Sequence, residues 1–169
     1  GGSPEDTEAA RAVIEPMAGN IIAAGGDGAG QAAKICNNMM LFIALEAAAE
    51  GSVLAARLGL DAETFWEIAR VSSGDSWAVR TWYPVPGVVP TAAANNGFES
   101  TFKATLALKD AGLALMAADD AGIELPAAAL VAERLQRLVD EGLGDKDCSL
   151  ITKYCTPDGV IPGWQPAGV

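Results

Sequence analysis

The 169-residue sequence contains no histidine, and its three cysteines, Cys36, Cys148 and Cys155, form no CxxC pair. The lack of histidine excludes His-based metal sites, Ser-His-Asp triads and Cys-His dyads together. An odd number of widely spaced cysteines suits a reducing cytosol better than a disulfide framework. Any side chain that moves a proton in this chain must therefore be Lys, Asp, Glu, Tyr or Cys.

Basic residues and long apolar runs are also scarce. The 11 Lys and Arg are scattered among 22 Asp and Glu, for a formal net charge of −11, which argues against a nucleic-acid groove or an anionic membrane surface. The longest apolar run, Met39–Leu45, is closed by Glu46 and is too short to span a bilayer. The small, acidic opening "GGSPEDTE" is unlike a signal or transit peptide. We expect no nucleic acid and no membrane among the partners.

Apolar residues at helical spacing are abundant, since half of the residues are hydrophobic. They predict an all-α, multi-helix domain with one long, buried central helix, because residues 31–58 are apolar almost all round. The short β-branched segment Asn20–Gly25 predicts one strand, which has no second strand to pair with. Residues 75–97 carry three prolines and predict a mostly irregular loop. The predicted helices cover residues 3–18, 31–58, 61–74, 99–121, 126–141 and 146–155.

A glycine-rich turn precedes the long helix. Gly28–Ala33 matches the loose G-x-G-x-x-A form of the dinucleotide fingerprint, after the predicted strand and before a helix. That fingerprint needs a second strand ending in an acidic residue about twenty positions later. Here that region is helix interior, with Glu50 inside it. We therefore interpret the glycines as a tight turn and not as a phosphate-binding loop.

Polar residues cluster at the start of the long helix. Lys34 and Asn38 share a face at i, i+4, with Asn37 beside them and Gln31 one turn earlier. One interpretation is a solvated lysine with asparagines that cap a neighbouring helix. The other is a partly desolvated lysine for acid–base work on an alcohol or carbonyl, beside a carboxamide that orients the substrate. The pattern alone leaves both open.

Four blocks in order, "GDGAGQAAKICNNMM", "LGLD", "SSGDSW…YPVPGVVP" and "GFESTFKATLALKDAGLAL", resemble the β-hydroxyacid dehydrogenase family, and within it the 3-hydroxyisobutyrate dehydrogenases. The resemblance covers residues 1–154. It implies a two-domain enzyme with an N-terminal Rossmann domain that holds NAD or NADP and an all-helical C-terminal domain. Residues 1–25 would then be a short βα remnant of the missing Rossmann domain, residues 26–156 the helical domain, and residues 157–169 an irregular tail.

The resemblance also implies roles for the polar cluster. Lys34 matches the catalytic lysine, the general acid or base on the hydroxyl or carbonyl oxygen. Asn38 matches the amide that binds and orients the substrate, and Asn37 is assigned to the same role. The substrate would be a small 3-hydroxy acid that is oxidised to its semialdehyde.

Three residues further along the chain match positions that lie near the bound cofactor in the family. Lys109 matches a lysine that reaches the bound dinucleotide, and Asp110 is its neighbour. Phe102 lies at a position where members of the family line the cleft that holds cofactor and substrate. On pattern alone Lys109 and Asp110 would be an ordinary surface ion pair. No metal ligand is expected.

The resemblance implies a homodimer or homotetramer, in the cytoplasm of a bacterium or the mitochondrial matrix of a eukaryote. Without a Rossmann domain the chain alone is expected to be inactive, because a lysine cannot supply the hydride. Two alternatives stay open: a non-catalytic helical oligomerisation module derived from such an enzyme, and a tartronate semialdehyde reductase-like member of the family.

Overall fold

The computed structural model describes residues 1–161, and within that range the chain is helical and carries no strand. The all-α prediction is therefore confirmed. The chain divides into two compact units at Asn38 and Met39. Of the tail predicted over 157–169, residues 162–169 lie outside the described part. The α-helices are α1 Pro4–Ile14, α2 Ala29–Arg57, α3 Ala62–Ala69, α4 Trp77–Thr81, α5 Ala104–Ala121 and α6 Pro126–Asp140, joined by 3₁₀ segments at Glu15–Met17, Ala93–Asn96 and Cys148–Cys155.

The first unit contains α1 and the start of α2. The Ser3 hydroxyl caps α1 by accepting a hydrogen bond from the Asp6 N–H at 3.1 Å, and Pro4 occupies the first turn. The strand predicted over Asn20–Gly25 is wrong, since this segment has no regular secondary structure. A strand is stabilised by pairing with a neighbour, and the described residues offer none.

The glycines at the two ends of α2 determine where it begins and ends. Gly28, with φ +80°, precedes the first residue of the helix. At the other end Leu60 N–H donates to the Ala55 carbonyl at 3.0 Å, and Gly59 N–H donates to the Ala56 carbonyl at 3.1 Å. This is the Schellman arrangement, which favours glycine at the left-handed position. Gly59 has φ +83°, so it occupies that position and ends α2.

Burial on α2 is confined to its second part, from Phe42 to Ala55. By length and composition alone α2 is long and apolar enough to cross a membrane, and 39% of its most apolar 18-residue stretch is buried. A helix in the core of a soluble protein can be equally long and apolar. Glu46 is buried on α2 and forms an ion pair with Arg134 of α6. This contact favours a core helix over a membrane-spanning one.

The core of the second unit forms where α5 packs against α6. Alanines recur along one face of α5, which allows the two helix backbones to approach closely. Leucine and valine side chains of α6 fill the space opposite, and the 3₁₀ segment Cys148–Cys155 adds Leu150 and Ile151. The buried residues of α5 and α6 are Ala104, Ala107, Asp110, Ala111, Ala114, Ala118, Ala128, Val131, Leu135 and Leu138.

Candidate substrate and cofactor site

The lysine–asparagine face (Lys34, Asn37 and Asn38) lies on the first turns of α2, in the first unit. The Asn37 side-chain N–H donates to the Asn38 side-chain oxygen at 3.3 Å. Asn38 is half-buried, whereas Asn37 and Lys34 are exposed. No residue of α2 before Phe42 is buried, so residues 1–161 do not supply the partial desolvation that the acid–base interpretation includes.

This face carries the groups that an acid–base site on an alcohol requires. Lys34 forms no salt bridge with any of residues 1–161, so its ammonium donors are available to a ligand. A helix places Lys34 and Asn38 one turn apart on the same side. A small ligand with a hydroxyl and a carboxylate could contact both side chains at once.

The second unit holds the other three candidates. On α5 the Lys109 ammonium lies 2.7 Å from a carboxylate oxygen of Asp110. The Lys109 side chain is 56% exposed and that of Asp110 is 9% exposed. A nearly buried carboxylate therefore restrains an ammonium that is open to solvent. This arrangement differs from two freely solvated charges, because one partner has a fixed position.

Phe102 precedes α5 and belongs to a row of aromatic side chains. Its ring centroid lies 5.7 Å from that of Phe42 and 6.0 Å from that of Trp82. Trp82 in turn meets Trp77 edge to face at 4.9 Å. Phe102 is partly buried against the core and Trp77 is half-exposed. The row thus leads from the core to the surface of the second unit.

Asp147 is a residue that the sequence reasoning did not select. It is fully buried. One carboxylate oxygen, Oδ2, accepts hydrogen bonds from the Thr101 N–H and hydroxyl, both at 2.8 Å, and from the Phe102 N–H at 3.0 Å. The other, Oδ1, accepts from the Ser149 N–H at 3.0 Å and hydroxyl at 2.6 Å. The D-x-S spacing of Asp147 and Ser149 could have indicated a local cap, but nothing local indicates the contact with Thr101.

A second buried polar cluster ties α2 to α6. Arg134 forms an ion pair with Glu46, donates to the Cys155 sulfur at 2.9 Å and lies 3.4 Å from a carboxylate oxygen of Glu50. Burial raises the pKa of Glu46 and outweighs the attraction of Arg134. Burial likewise raises the pKa of Cys155 to about 11, which keeps its thiol protonated and unreactive at neutral pH. Among residues 1–161 no cluster of His, Cys, Asp and Glu could hold a metal ion.

The family described as "NAD-binding of NADP-dependent 3-hydroxyisobutyrate dehydrogenase" matches residues 28–155. The chain is 43% identical to the mitochondrial 3-hydroxyisobutyrate dehydrogenase of Drosophila melanogaster over 89% of this chain and 47% of that protein. It is 39% identical to the NAD-dependent L-serine dehydrogenase of Pseudomonas aeruginosa over 93% of this chain and 53% of that protein. The chain thus spans about half the length of the relatives that it matches.

A solved structure is similar to the chain in both fold and sequence. The 3-hydroxyisobutyrate dehydrogenase of Mycobacterium tuberculosis, solved with L-serine, superposes with a TM-score of 0.86 at 42% identity. The match covers 91% of this chain and 53% of that one. The family match extends from the glycine turn to the end of the last 3₁₀ segment, and so includes all six candidate residues. This chain belongs to the 3-hydroxyisobutyrate dehydrogenase NAD-binding family.

Proposed function

We propose that this chain is the helical, lysine-bearing half of an NAD(P)-dependent dehydrogenase that oxidises a small 3-hydroxy acid to its semialdehyde. The observation that carries the proposal is the lysine–asparagine face, which joins an ammonium without a salt bridge to two carboxamides within one helical turn. Membership of this NAD-binding family supports the acid–base interpretation of the face.

In the proposed reaction Lys34 exchanges a proton with the oxygen on C3 of the substrate. During oxidation its amine takes the hydroxyl proton, and during reduction its ammonium returns it. The Asn38 carboxamide donates to the substrate carboxylate or accepts from the hydroxyl, and so fixes the C3 oxygen near Lys34. Asn37 supports this orientation through its hydrogen bond to the Asn38 side-chain oxygen. A bound nicotinamide dinucleotide would supply the hydride acceptor.

Lys109 and Asp110 fit a contact at the edge of such a dinucleotide. An exposed ammonium, restrained by a nearly buried carboxylate, can donate to a ribose hydroxyl or a phosphate oxygen without losing its own position. Phe102 would offer an apolar edge beside it. Residues 1–161 contain no strand and hence no βαβ unit. We therefore propose that most of the dinucleotide binds a Rossmann domain other than this chain, which also covers and desolvates Lys34.

The substrate class follows from chemistry that the named relatives share. 3-Hydroxyisobutyrate and L-serine each carry a hydroxyl on C3 and a carboxylate on C1, the two groups that Lys34 and Asn38 would contact. A tartronate semialdehyde reductase-like activity uses the same pair of groups in the reverse direction. We propose a bacterial cytoplasmic or eukaryotic mitochondrial location, depending on the source.

The test joins this chain to the nucleotide-binding half of the M. tuberculosis relative and follows formation of reduced nicotinamide with 3-hydroxyisobutyrate and with L-serine. We expect the fusion to turn over at least one of them and this chain alone to turn over neither. A folded fusion that binds dinucleotide and oxidises no 3-hydroxy acid would contradict the proposal. Micromolar binding of dinucleotide by this chain alone would contradict the assignment of most of the cofactor to another domain.

A second role, self-association, is favoured by exposed apolar residues in the second unit. Leu54 and Leu58 lie one turn apart near the end of α2, and Leu113 and Met116 lie one turn apart on α5; all are exposed. Contiguous exposed apolar residues mark interaction surfaces. The role is compatible with catalysis in a homodimer or homotetramer, and also with a purely structural oligomerisation module.

A further inference from the structure

Asp147 connects two parts of the chain through opposite sides of one buried carboxylate. Its Oδ2 atom accepts three hydrogen bonds from Thr101 and Phe102. Its Oδ1 atom accepts two from Ser149. A buried carboxylate is costly unless its oxygens are hydrogen-bonded. Loss of either set of donors would thus leave part of a fully buried acid unsatisfied.

The Oδ2 side fixes the approach to α5. Backbone hydrogen bonds run beside it, from the Asp147 N–H to the Phe98 carbonyl and from the Cys148 N–H to the Phe102 carbonyl, both at 2.9 Å. The Ala104 N–H donates to the Lys146 carbonyl at 2.9 Å. The N–H groups of Thr101 and Phe102 donate to Asp147, Lys103 has a non-helical backbone with ψ 139°, and α5 begins at Ala104.

The residues fixed in this way include the proposed cofactor contacts. The N–H of Phe102 is one of the donors to Asp147, so the carboxylate sets the backbone position from which the Phe102 ring reaches Trp82 and Phe42. Lys109 is carried by the helix whose first turn follows directly. A small displacement of that turn would move the ring and the ammonium together.

We propose that Asp147 is a positioning residue for cofactor binding, acting through its Oδ2 contacts to Thr101 and Phe102. The proposal rests on the cofactor role proposed above for Phe102 and Lys109. The two carboxylate oxygens of Asp147 then have different roles. The Oδ2 contacts serve the site, whereas the Oδ1 contacts hold the 3₁₀ segment Cys148–Cys155.

The test uses matched variants in the fusion with the M. tuberculosis nucleotide-binding half. Thr101→Val removes the hydroxyl donor to Oδ2, Thr101→Ser retains it, and Ser149→Ala removes the hydroxyl donor to Oδ1. Calorimetry measures the Kd of the oxidised dinucleotide. Steady-state kinetics measure two KM values for each variant, one for the dinucleotide and one for the hydroxy acid. We expect Thr101→Val to weaken dinucleotide binding about 10-fold with the hydroxy-acid KM unchanged. Thr101→Ser and Ser149→Ala should stay within about 2-fold of wild type.

Asp147→Asn separates an indirect effect from a direct contact between Thr101 and the cofactor. If Thr101 acts through the carboxylate, the effects of Asp147→Asn and Thr101→Val on the Kd are not additive. Additive effects overturn the proposal, as does an unchanged Kd in Thr101→Val or an equal weakening in Ser149→Ala. If Asp147→Asn does not fold, the Kd values of Thr101→Val and Ser149→Ala still test the proposal, because only Thr101→Val should weaken dinucleotide binding.

The same variants are compared in this chain by itself. Movement of Phe102 should change the near-ultraviolet circular dichroism of its row with Trp82 and Trp77 in Thr101→Val, and not in Ser149→Ala; the reverse pattern counts against the proposal. A wild-type fusion that binds no dinucleotide overturns the proposed function together with this inference. A wild-type fusion that binds it normally, with Thr101→Val unaffected, overturns this inference alone.

Discussion

Asp147 and Glu46 are two buried carboxylates that the protein satisfies in different ways. Asp147 has hydrogen-bond donors on both oxygens, whereas Oε2 of Glu46 is buried without a partner. Only Oε1 of Glu46 has partners among residues 1–161: the ion pair with Arg134 and a hydrogen bond from the Cys155 thiol at 3.8 Å. A buried ion pair recovers the cost of desolvation only when the remaining lone pairs are also satisfied, and burial accordingly raises the pKa of Glu46.

The raised pKa predicts how Glu46 contributes to stability as the pH changes. In the folded chain Glu46 holds its proton more strongly than in the unfolded chain, so its contribution is largest below its ordinary pKa of 4.5. That contribution falls as the pH rises through the higher folded-state pKa. The free energy of unfolding, measured with urea, is compared between wild type and Glu46→Gln. The amount by which the wild-type value exceeds that of Glu46→Gln should decrease from pH 4.5 to neutrality.

Val131→Ala, which removes a buried apolar group from α6, is the control. It changes no titratable group, so its effect on the free energy of unfolding should be nearly constant over the same pH range. A wild-type excess over Glu46→Gln that grows with pH would mean that the attraction of Arg134 outweighs burial.

At the scale of elements, local signals located most helices and tertiary contacts changed their limits. The caps at Ser3 and Gly59 were readable because each acts within a few residues. The helix predicted from residue 99 instead begins at Ala104, after a segment in which the Thr101 N–H donates to Asp147, 46 residues away. No local pattern could reveal that partner. The helix predicted to residue 74 ends at Ala69, followed by turn hydrogen bonds from Val71 and Ser72.

Two glycines, Gly112 inside α5 and Gly122 directly after it, provide a prediction at this scale. Gly122 ends the helix in the left-handed region at φ +66°, where a Cβ is strained. Gly112 lies inside the same helix with open space where a Cβ would be. Gly122→Ala should lower the free energy of unfolding by about 1 kcal/mol, and Gly112→Ala should raise it by about 0.5–1 kcal/mol. Thermal unfolding measures both. Two changes of the same sign would mean that backbone conformation does not govern these sites.

At the scale of the whole molecule, the sequence predicted the helical class, and the family match over residues 28–155 bears out the resemblance that the quoted blocks carried. The sequence could not decide whether Lys34 is exposed, because the pattern at the start of the long helix leaves a solvated and a partly desolvated lysine both open. Six candidate residues remain predictions: three belong to the first unit and three to the second. The chain spans about half the length of the relatives that it matches, and a cover over Lys34 belongs to the proposal of a separate Rossmann domain.

Self-association is the prediction that belongs to this scale. Leu54 and Leu58 are 60% and 72% exposed, and an interface would remove both from water. Light scattering should find a dimer or larger species for the wild-type chain. Leu54→Ser with Leu58→Ser should shift it toward monomer without loss of helicity. A wild-type monomer at high concentration would remove the proposed assembly surface.

The central claim is that Lys34 moves the proton in a dehydrogenase reaction, and the kcat of Lys34→Ala in the fusion tests it most directly. Lys103→Ala is the matched control, since it removes another exposed lysine, whose ammonium lies 2.7 Å from a carboxylate oxygen of the exposed Asp145. We predict that Lys34→Ala lowers kcat at least ~100-fold while dinucleotide affinity and Lys103→Ala stay near wild type. A kcat within a few-fold of wild type in Lys34→Ala would contradict the account.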